Sequence, residues 1–242
     1  MKIVLISTVY FLTTFTLNAN DMIDSLKVAL AQKDASRMIN LIESNPGILD
    51  AKDENGSSGF VLIAYSGLKP VFERAIVLKQ SFSFHEAIIS GNEPVVREYL
   101  NSTGNALVNS YSSDGFTPIS LAAFFDQTKI AILLLENGAD PDLQATNPSK
   151  VNALHSAVAK ENFELCKMLI NAGANVNAAQ MQNVTPLHSA AHRGNLNIVQ
   201  LLVENGAEID NKMDNGNTAL IIAERDDHQD VARYLAKKQK MH

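Results

Sequence analysis

Histidines that stand beside serines, or four residues from one another, are the residues of this 242-residue chain best suited to chemistry. His188 and His192 have the spacing at which two imidazoles on one helix face can bind a zinc ion. Ser189, however, stands where a metalloprotease helix of this kind carries its glutamate, and no third ligand is evident nearby. The sequence therefore predicts no metal site.

Serine–histidine neighbours occur at 155–156 and 188–189, but adjacency in sequence is not the arrangement of nucleophile, base and orienting acid that catalysis needs. No glycine-rich segment resembles a phosphate-binding loop, and carboxylates such as Asp140 and Asp142 are expected on solvated loops. Cys166, the single cysteine, falls in a helical apolar pattern, so we expect a buried apolar residue and no disulfide. We therefore expect a protein that is not an enzyme and that holds no cofactor.

One segment recurs at a fixed spacing along the chain. Residues 185–191 read TPLHSAA, the frame thirty-three residues earlier reads NALHSA, and the frame thirty-three residues later reads TALIIA. A constant period of this length indicates stacked helical units rather than one compact core with one cleft. With Thr185 as the reference, the equivalent positions are Asp24, Ser58, Phe82, Thr117, Asn152 and Thr218.

Residue types within each unit favour two short helices. Thr185 is a good N-cap, and Pro186 loses no needed hydrogen bond at the first helical position. Leu187 and Ala190 lie three residues apart on one helix face. A glycine such as Gly206 ends the second helix, where a left-handed residue is favoured. Each unit can then bury its apolar stripe only against its neighbours.

On these residues the sequence resembles the ankyrin-repeat family, most clearly from Gly115 to Asp210. The resemblance implies an all-α repeat solenoid of stacked helix–turn–helix units joined by β-turn fingers, with a partner protein bound on the concave face. It also implies a structural role for the histidine of the motif, which hydrogen-bonds loop backbone between units; His85, His155 and His188 are assigned to that position. The other residues that match the motif are Thr117, Pro118, Leu154, Thr185, Pro186 and Leu187.

We expect an ankyrin-repeat domain over 20–242 with about seven units, of which the first and last are polar caps. The interval from Ser58 to Phe82 is only 24 residues, against 33 to 35 elsewhere. Either the second unit lacks the finger that should follow its second helix, or the register slips there. The expected units are 22–55, 56–79, 80–113, 114–147, 149–181, 182–214 and 215–242.

The first nineteen residues differ from the rest of the chain. Lys2 is followed by an apolar run over 3–15 and by the small residue Ala19, which is typical of a secretory signal peptide. The run is shorter than the roughly 20 apolar residues that a membrane span needs, although an uncleaved anchor is the alternative. We therefore expect a periplasmic or secreted protein, cleaved near Ala19 and free of the membrane after signal removal.

The charge of the chain bears on its partners. A net charge of −6 without a run of lysine or arginine argues against binding to nucleic acid. The expected partner is therefore another protein, and the chain itself is expected to be a monomer.

The resemblance places partner-binding residues on the fingertips and at the outer positions of the first helices. Phe124 and Phe125 stand out because the frame normally has polar residues there. With Tyr111 and Phe116 they form an aromatic binding patch, or else they fill space that the short second unit leaves open. The candidate binding residues are Tyr111, Phe116, Leu121, Phe124, Phe125, Leu143, Lys150, Met181, His192, Arg193 and Met213.

The sequence thus predicts a non-enzymatic, exported scaffold that binds a partner protein. Three more specific functions remain open. They are an immunity protein that occludes a toxin in the same compartment, a protective factor for an oxidative-stress enzyme, and a secreted effector.

Overall fold

The structure, a computed structural model, describes residues 19–103 and 106–240, and within them it consists of α-helices in consecutive pairs. These residues form no strand longer than an isolated β-bridge. The prediction of an all-α repeat solenoid is confirmed, whereas the predicted signal peptide lies outside the described residues apart from Ala19. The pairs are α1 (Ala19–Ala31) with α2 (Ala35–Ser44), α3 (Gly59–Tyr65) with α4 (Lys69–Leu78), α5 (Phe84–Ser90) with α6 (Glu93–Thr103), α7 (Pro118–Phe124) with α8 (Thr128–Glu136), α9 (Ala153–Ala159) with α10 (Phe163–Asn171), α11 (Pro186–Arg193) with α12 (Leu196–Glu204), and α13 (Ala219–Arg225) with α14 (Gln229–Gln239).

The chain divides into two compact bodies. The first contains residues 19–54 and 58–78, and α1 to α4 enclose its core. Phe60 is fully buried there, together with Met38 and Ile42 of α2. The second body contains residues 55–57 and 79–240, and it holds the regular repeats.

Hydroxyl and amide side chains set the start of each first helix. Thr117 has extended backbone (φ −82°, ψ 154°), and its hydroxyl accepts a hydrogen bond from the Ser120 N–H. Asn152 caps α9 in the same way through the His155 N–H. Such caps satisfy N–H groups that a helix cannot bond internally. The caps of the first helices are Ser58, Ser83, Thr117, Asn152, Thr185 and Thr218.

The caps correct the predicted register at two positions. The cap of α5 is Ser83 rather than Phe82, because Ser83 and Glu86 form a reciprocal capping box. His85 therefore does not occupy the position of the motif histidine, which belongs to Glu86 in this unit. Asp24 was also placed at a helix start, but it lies in the middle of α1.

The connection between α4 and α5 is short. It comprises only the five residues 79–83, whereas the regular connections 172–185 and 205–218 comprise fourteen each. Lys79 in this connection is buried, and its Nζ lies 3.3 Å from Oε1 of the buried Glu86. Glu86 Oε2 accepts the Ser83 N–H, so the carboxylate contacts both the lysine and the helix cap.

First helices of the second body pack more closely on one another than second helices do. The reason is the small size of the residues between them, since Ala122, Ala123, Ala157 and Ala190 are all fully buried. Close packing on this side of the stack places the first helices and the fingers that precede them along one surface.

Loop side chains hold neighbouring units in register. Asn109 donates through Nδ2 to Gly138 O at 3.2 Å and accepts the Asp140 N–H at 2.9 Å. Asn177 does the same further along, to Gly206 O at 2.9 Å and from the Glu208 N–H at 2.9 Å. Each of these loops thus gains its backbone partners from the unit before it.

The buried ion pair gives a stability prediction. Lys79→Met leaves the buried Glu86 carboxylate without its cation, so the free energy of unfolding in urea should fall by about 3 kcal/mol. The double variant Lys79→Met/Glu86→Gln should recover at least half of that loss, because no buried charge is left unpaired.

The exposed pair of Arg233 and Asp230 supplies the control. Arg233→Met should cost less than about 1 kcal/mol, since exposed ion pairs contribute little. A Lys79→Met variant that lost no more stability than Arg233→Met would contradict the assignment of the buried pair.

Candidate protein-binding face

Fingers of the second body are short hairpin turns closed by their own backbone. The Gln180 N–H donates to Val184 O at 2.9 Å, and the Met213 N–H donates to Asn217 O at the same distance. These bonds close each turn on itself. Each of these two fingers therefore presents a tip of three residues.

Backbone bonds also join each finger to the next. The Thr146 N–H donates to Gly115 O at 2.9 Å, and the Met181 N–H donates to Ser149 O at 3.0 Å. A side-chain bond adds to this row, since Asn183 Nδ2 donates to Lys212 O at 2.6 Å. The fingers consequently form a continuous row rather than four independent loops.

A hollow of about 240 Å³ shows that fingers and first helices share one surface. Val184, Met213 and Asn215 line it from the fingers, and His192 and Arg225 line it from the ends of α11 and α13. We call this surface the finger face: the fingers 111–117, 144–151, 179–184 and 212–217, with the exposed C-terminal ends of α7, α9, α11 and α13.

The predicted binding residues divide into three groups. His192 and Met213 meet in the hollow described above. Tyr111 and Leu143 line a different hollow of about 620 Å³, together with Asp140, Asp142 and Asn175 of the loops. The other exposed or half-buried candidates are Phe116, Phe124, Phe125, Lys150, Met181 and Arg193.

Leu121 was predicted to contact a partner, and this prediction is wrong. Its side chain is only 1% exposed, because α7 packs directly against α9 at this position. Leu121 is a core residue.

The two phenylalanines at the end of α7 differ in environment. Phe124 is 40% exposed, so its ring does not serve only to fill the core, whereas Phe125 is half-buried. Their ring centroids lie 5.1 Å apart in an edge-to-face arrangement, and Lys160 Nζ lies 4.7 Å above the Phe124 ring. This geometry combines an apolar contact surface with a cation.

Motif histidines bond the backbone of the next unit. His188 Nδ1 accepts the Thr185 N–H at 3.1 Å, so the proton is assigned to Nε2, which donates to Asn211 O at 3.0 Å. His155 Nε2 lies 3.2 Å from Val184 O in the same relation. Burial lowers the pKa of His155 from 6.5 to about 4, and burial also lowers the pKa of His188. Both rings are 3% exposed or less.

His192 belongs to a polar cluster on the finger face. Its Nδ1 lies 2.6 Å from Asp226 Oδ2, and Arg225 Nε donates to Asp226 Oδ1 at 2.7 Å. Hydrogen bonds from Arg225 and then from His192 hold the pKa of the Asp226 carboxyl well below its usual range. The cluster fixes the orientation of the Arg225 and His192 side chains beside the hollow.

The described part of the chain assembles no cluster of metal ligands. Across residues 19–103 and 106–240, no three histidine, cysteine or acidic side chains come close enough to hold a metal ion. Burial raises the pKa of the Cys166 thiol to about 12, so the thiol stays protonated and unreactive. The surface features of this body are suited to contact with another molecule.

Sequence reasoning missed Ile221, which is 44% exposed on α13. It occupies the position of the motif histidine in the last unit, three residues after its cap Thr218. The sequence does carry a signal for this exposure. His155 and His188 at the equivalent positions bond the loop that follows, whereas isoleucine at this position offers no such bond.

Comparison with known families matches residues 84–180 and 154–242 to the family described as ankyrin repeats (3 copies). The two stretches together cover more than half of the chain, so this protein belongs to the ankyrin-repeat family. Members of this family are protein–protein interaction scaffolds and are generally non-catalytic.

Two curated proteins illustrate the similarity. The chain is 38% identical over 93 residues, 38% of its length, to ankyrin repeat and SAM domain-containing protein 6 of Rattus norvegicus, of which it covers 10%. It is 29% identical over 154 residues, 62% of its length, to the probable 26S proteasome regulatory subunit p28 of Saccharomyces cerevisiae, of which it covers 56%. The chain thus spans about a tenth of the length of the first of these curated relatives and about half of the length of the second.

The buried histidines make stability depend on pH. Below about pH 6.5 the His155 ring is protonated in the unfolded chain, whereas in the folded chain it stays neutral until about pH 4. Stability is therefore lost as the pH falls through this window, by up to about 3 kcal/mol for His155. Urea unfolding at several pH values between about 7.5 and 4.5 measures the slope.

Two variants separate the buried ring from the exposed one. His155→Gln should be less stable at neutral pH but should show a flatter slope. His192→Gln, which removes an exposed ring, should leave the slope from the buried rings in place. Equal slopes in wild type and His155→Gln would contradict the account.

Proposed function

We propose that this protein is a non-enzymatic scaffold that binds one partner protein through its finger face. The observation that carries the proposal is the hollow between α11, α13 and the last finger, where exposed side chains surround a concave surface. Met181 is 53% exposed on the neighbouring finger, and Phe124 adds apolar area to the same face. Exposed apolar side chains with a polar rim are typical of protein-binding sites.

The second helices offer a poorer binding surface. In the second body they carry acidic residues such as Glu136 and Glu204, and within the described residues Phe163, at 36% exposure, is their exposed large apolar side chain. A partner gains more from burying Phe124 and Met181 than from covering this side, because apolar burial supplies most of the affinity.

Export to the periplasm of a Gram-negative bacterium is part of the proposal. It is supported by the charge pattern and the apolar run of residues 3–15. No helix among the residues that the structure describes is long and apolar enough to cross a membrane. Intact mass of the protein recovered from the periplasm should correspond to a chain that starts at Asn20. A full-length mass in the cytoplasmic fraction would contradict export.

Phe124 gives the direct test of partner binding. Phe124→Ser should reduce capture of the partner by at least about tenfold, because truncating a central aromatic costs upwards of 2 kcal/mol. The melting temperature should change little, since the ring is already 40% exposed. Affinity purification of the tagged mature chain from the periplasm, with mass spectrometry, measures the capture.

Phe163 supplies a matched control. Phe163→Ser removes the same side chain, at 36% exposure, from the second-helix side. It should leave partner capture unchanged. Full capture by Phe124→Ser, or equal losses in the two variants, would show that the partner binds elsewhere.

A further inference from the structure

Fingertips of the second body share one backbone requirement. The residue two positions before the helix cap has positive φ in the fingers that precede α7 and α13: 83° at Gly115 and 82° at Gly216. The two central fingers carry Lys150 (φ 52°) and Asn183 (φ 57°) at the equivalent position. Glycine adopts this conformation without cost, whereas a lysine does not.

The finger 180–184 is strained further. Gln182, next to Asn183, also has positive φ, at 63°. Residues with side chains are thus held in left-handed backbone at two consecutive positions of this finger, whereas the fingers before α7 and α13 have a single glycine there. Such strain persists at sites where the side chain itself is needed.

Three exposed cations belong to the central units of the finger face. Lys150, Lys160 and Arg193 are exposed, and within the described chain none of them forms an ion pair with a carboxylate. In contrast, Arg97 and Arg225 each lie 2.7 Å from a carboxylate oxygen.

Few acidic residues lie between Lys150 and Arg193 in the sequence. Over residues 144–195, outside α10, Glu161 is the one acidic residue, and its carboxylate accepts a hydrogen bond from Asn195 Nδ2 at 3.1 Å. Asp126 and Asp226 of the neighbouring units border the strip: Asp126 Oδ1 accepts a hydrogen bond from Asn162 Nδ2 at 2.7 Å, and Asp226 is paired with Arg225. The strip therefore carries three cations against one carboxylate of its own, in a chain whose net charge is −6.

Apolar contact area accompanies the charge. Phe124 lies beneath the Lys160 ammonium group, and Met181 is 53% exposed on the finger between Lys150 and Arg193. A ligand that contacted the three cations would thus also cover an aromatic ring and a methionine.

We propose that this central strip of the finger face binds an acidic segment of the partner that also carries an apolar or aromatic side chain. The proposal rests on the proposed function and names the chemistry of its ligand. Aspartate and glutamate of the segment pair with Lys150, Lys160 and Arg193, and its apolar side chain packs on Phe124 and Met181. Charge complementarity between the strip and the segment raises the association rate and disfavours basic partners.

Charge reversal tests the proposal with a random-peptide phage library as the probe. Peptides selected on the wild-type chain should be richer in aspartate and glutamate than the input library. Recovery of that pool on Lys160→Glu/Arg193→Glu should fall by at least about tenfold, because like charges then face each other. The control Lys129→Glu/Lys167→Glu makes the same change in charge on α8 and α10 and should retain the pool.

Lys150→Gly tests whether the strained fingertip serves binding. Glycine relieves the positive-φ strain, so the melting temperature should rise by about 3 °C. Recovery of the acidic pool should fall at the same time, because the ammonium group is lost. A stabilised variant that retained full recovery would show that Lys150 is not part of the site.

Several outcomes would overturn the proposal. A neutral or basic pool, no enrichment over empty resin, or an acidic pool that binds the charge-reversed variant equally well would each do so. A wild-type dimer in sedimentation that Lys160→Glu/Arg193→Glu dissociates would assign the strip to a second copy of the chain instead.

Failure of this proposal differs from failure of the proposed function. If a partner is captured in a Phe124-dependent manner and Lys160→Glu/Arg193→Glu captures it equally well, only the acidic chemistry of the ligand is wrong. If wild type captures no partner at all, the scaffold function itself fails.

Discussion

Burial between neighbours is the constraint on which the rest of this structure depends. A pair of helices of seven to thirteen residues cannot enclose its own apolar stripe, so each pair must be covered by the next. Small residues such as Ala157 and Ala190 let the first helices approach, and Asn109 and Asn177 supply hydrogen bonds to the loop of the following unit. The two flanking sides of each unit are therefore buried against neighbouring units, whereas the residues of the finger face can vary from repeat to repeat.

Much of this arrangement could be predicted from the sequence, because the repeat frame combines local signals that agree. Threonine followed by proline marks a helix start on its own, and Thr185 and Pro186 occupy the cap and first position of α11. The prediction failed at Phe82, where serines on both sides compete for the cap. Only the reciprocal bonds of Ser83 with Glu86 distinguish the true cap.

The candidate site was less predictable than the fold, since exposure depends on packing across units. Leu121 was placed on the surface although α9 covers it. Tyr111 and Phe124 were grouped by aromatic type, yet Tyr111 lines the hollow with Leu143 and Phe124 contacts Lys160. The shortest interval between repeats, 58–82, ends before α5. The strained fingertips lie instead in the most regular repeats. Backbone angles are not visible in a residue pattern, and so the positive φ of Lys150 and Gln182 was not foreseen.

Hydrogen–deuterium exchange of the chain with and without its captured partner tests the central claim most directly. We expect slower exchange in the fingers 144–151, 179–184 and 212–217 and at the C-terminal ends of α7, α9, α11 and α13, with no change in α8, α10 and α12. Protection confined to the second helices would contradict it, because the partner would then cover the side of the stack that carries neither the hollow nor the exposed cations.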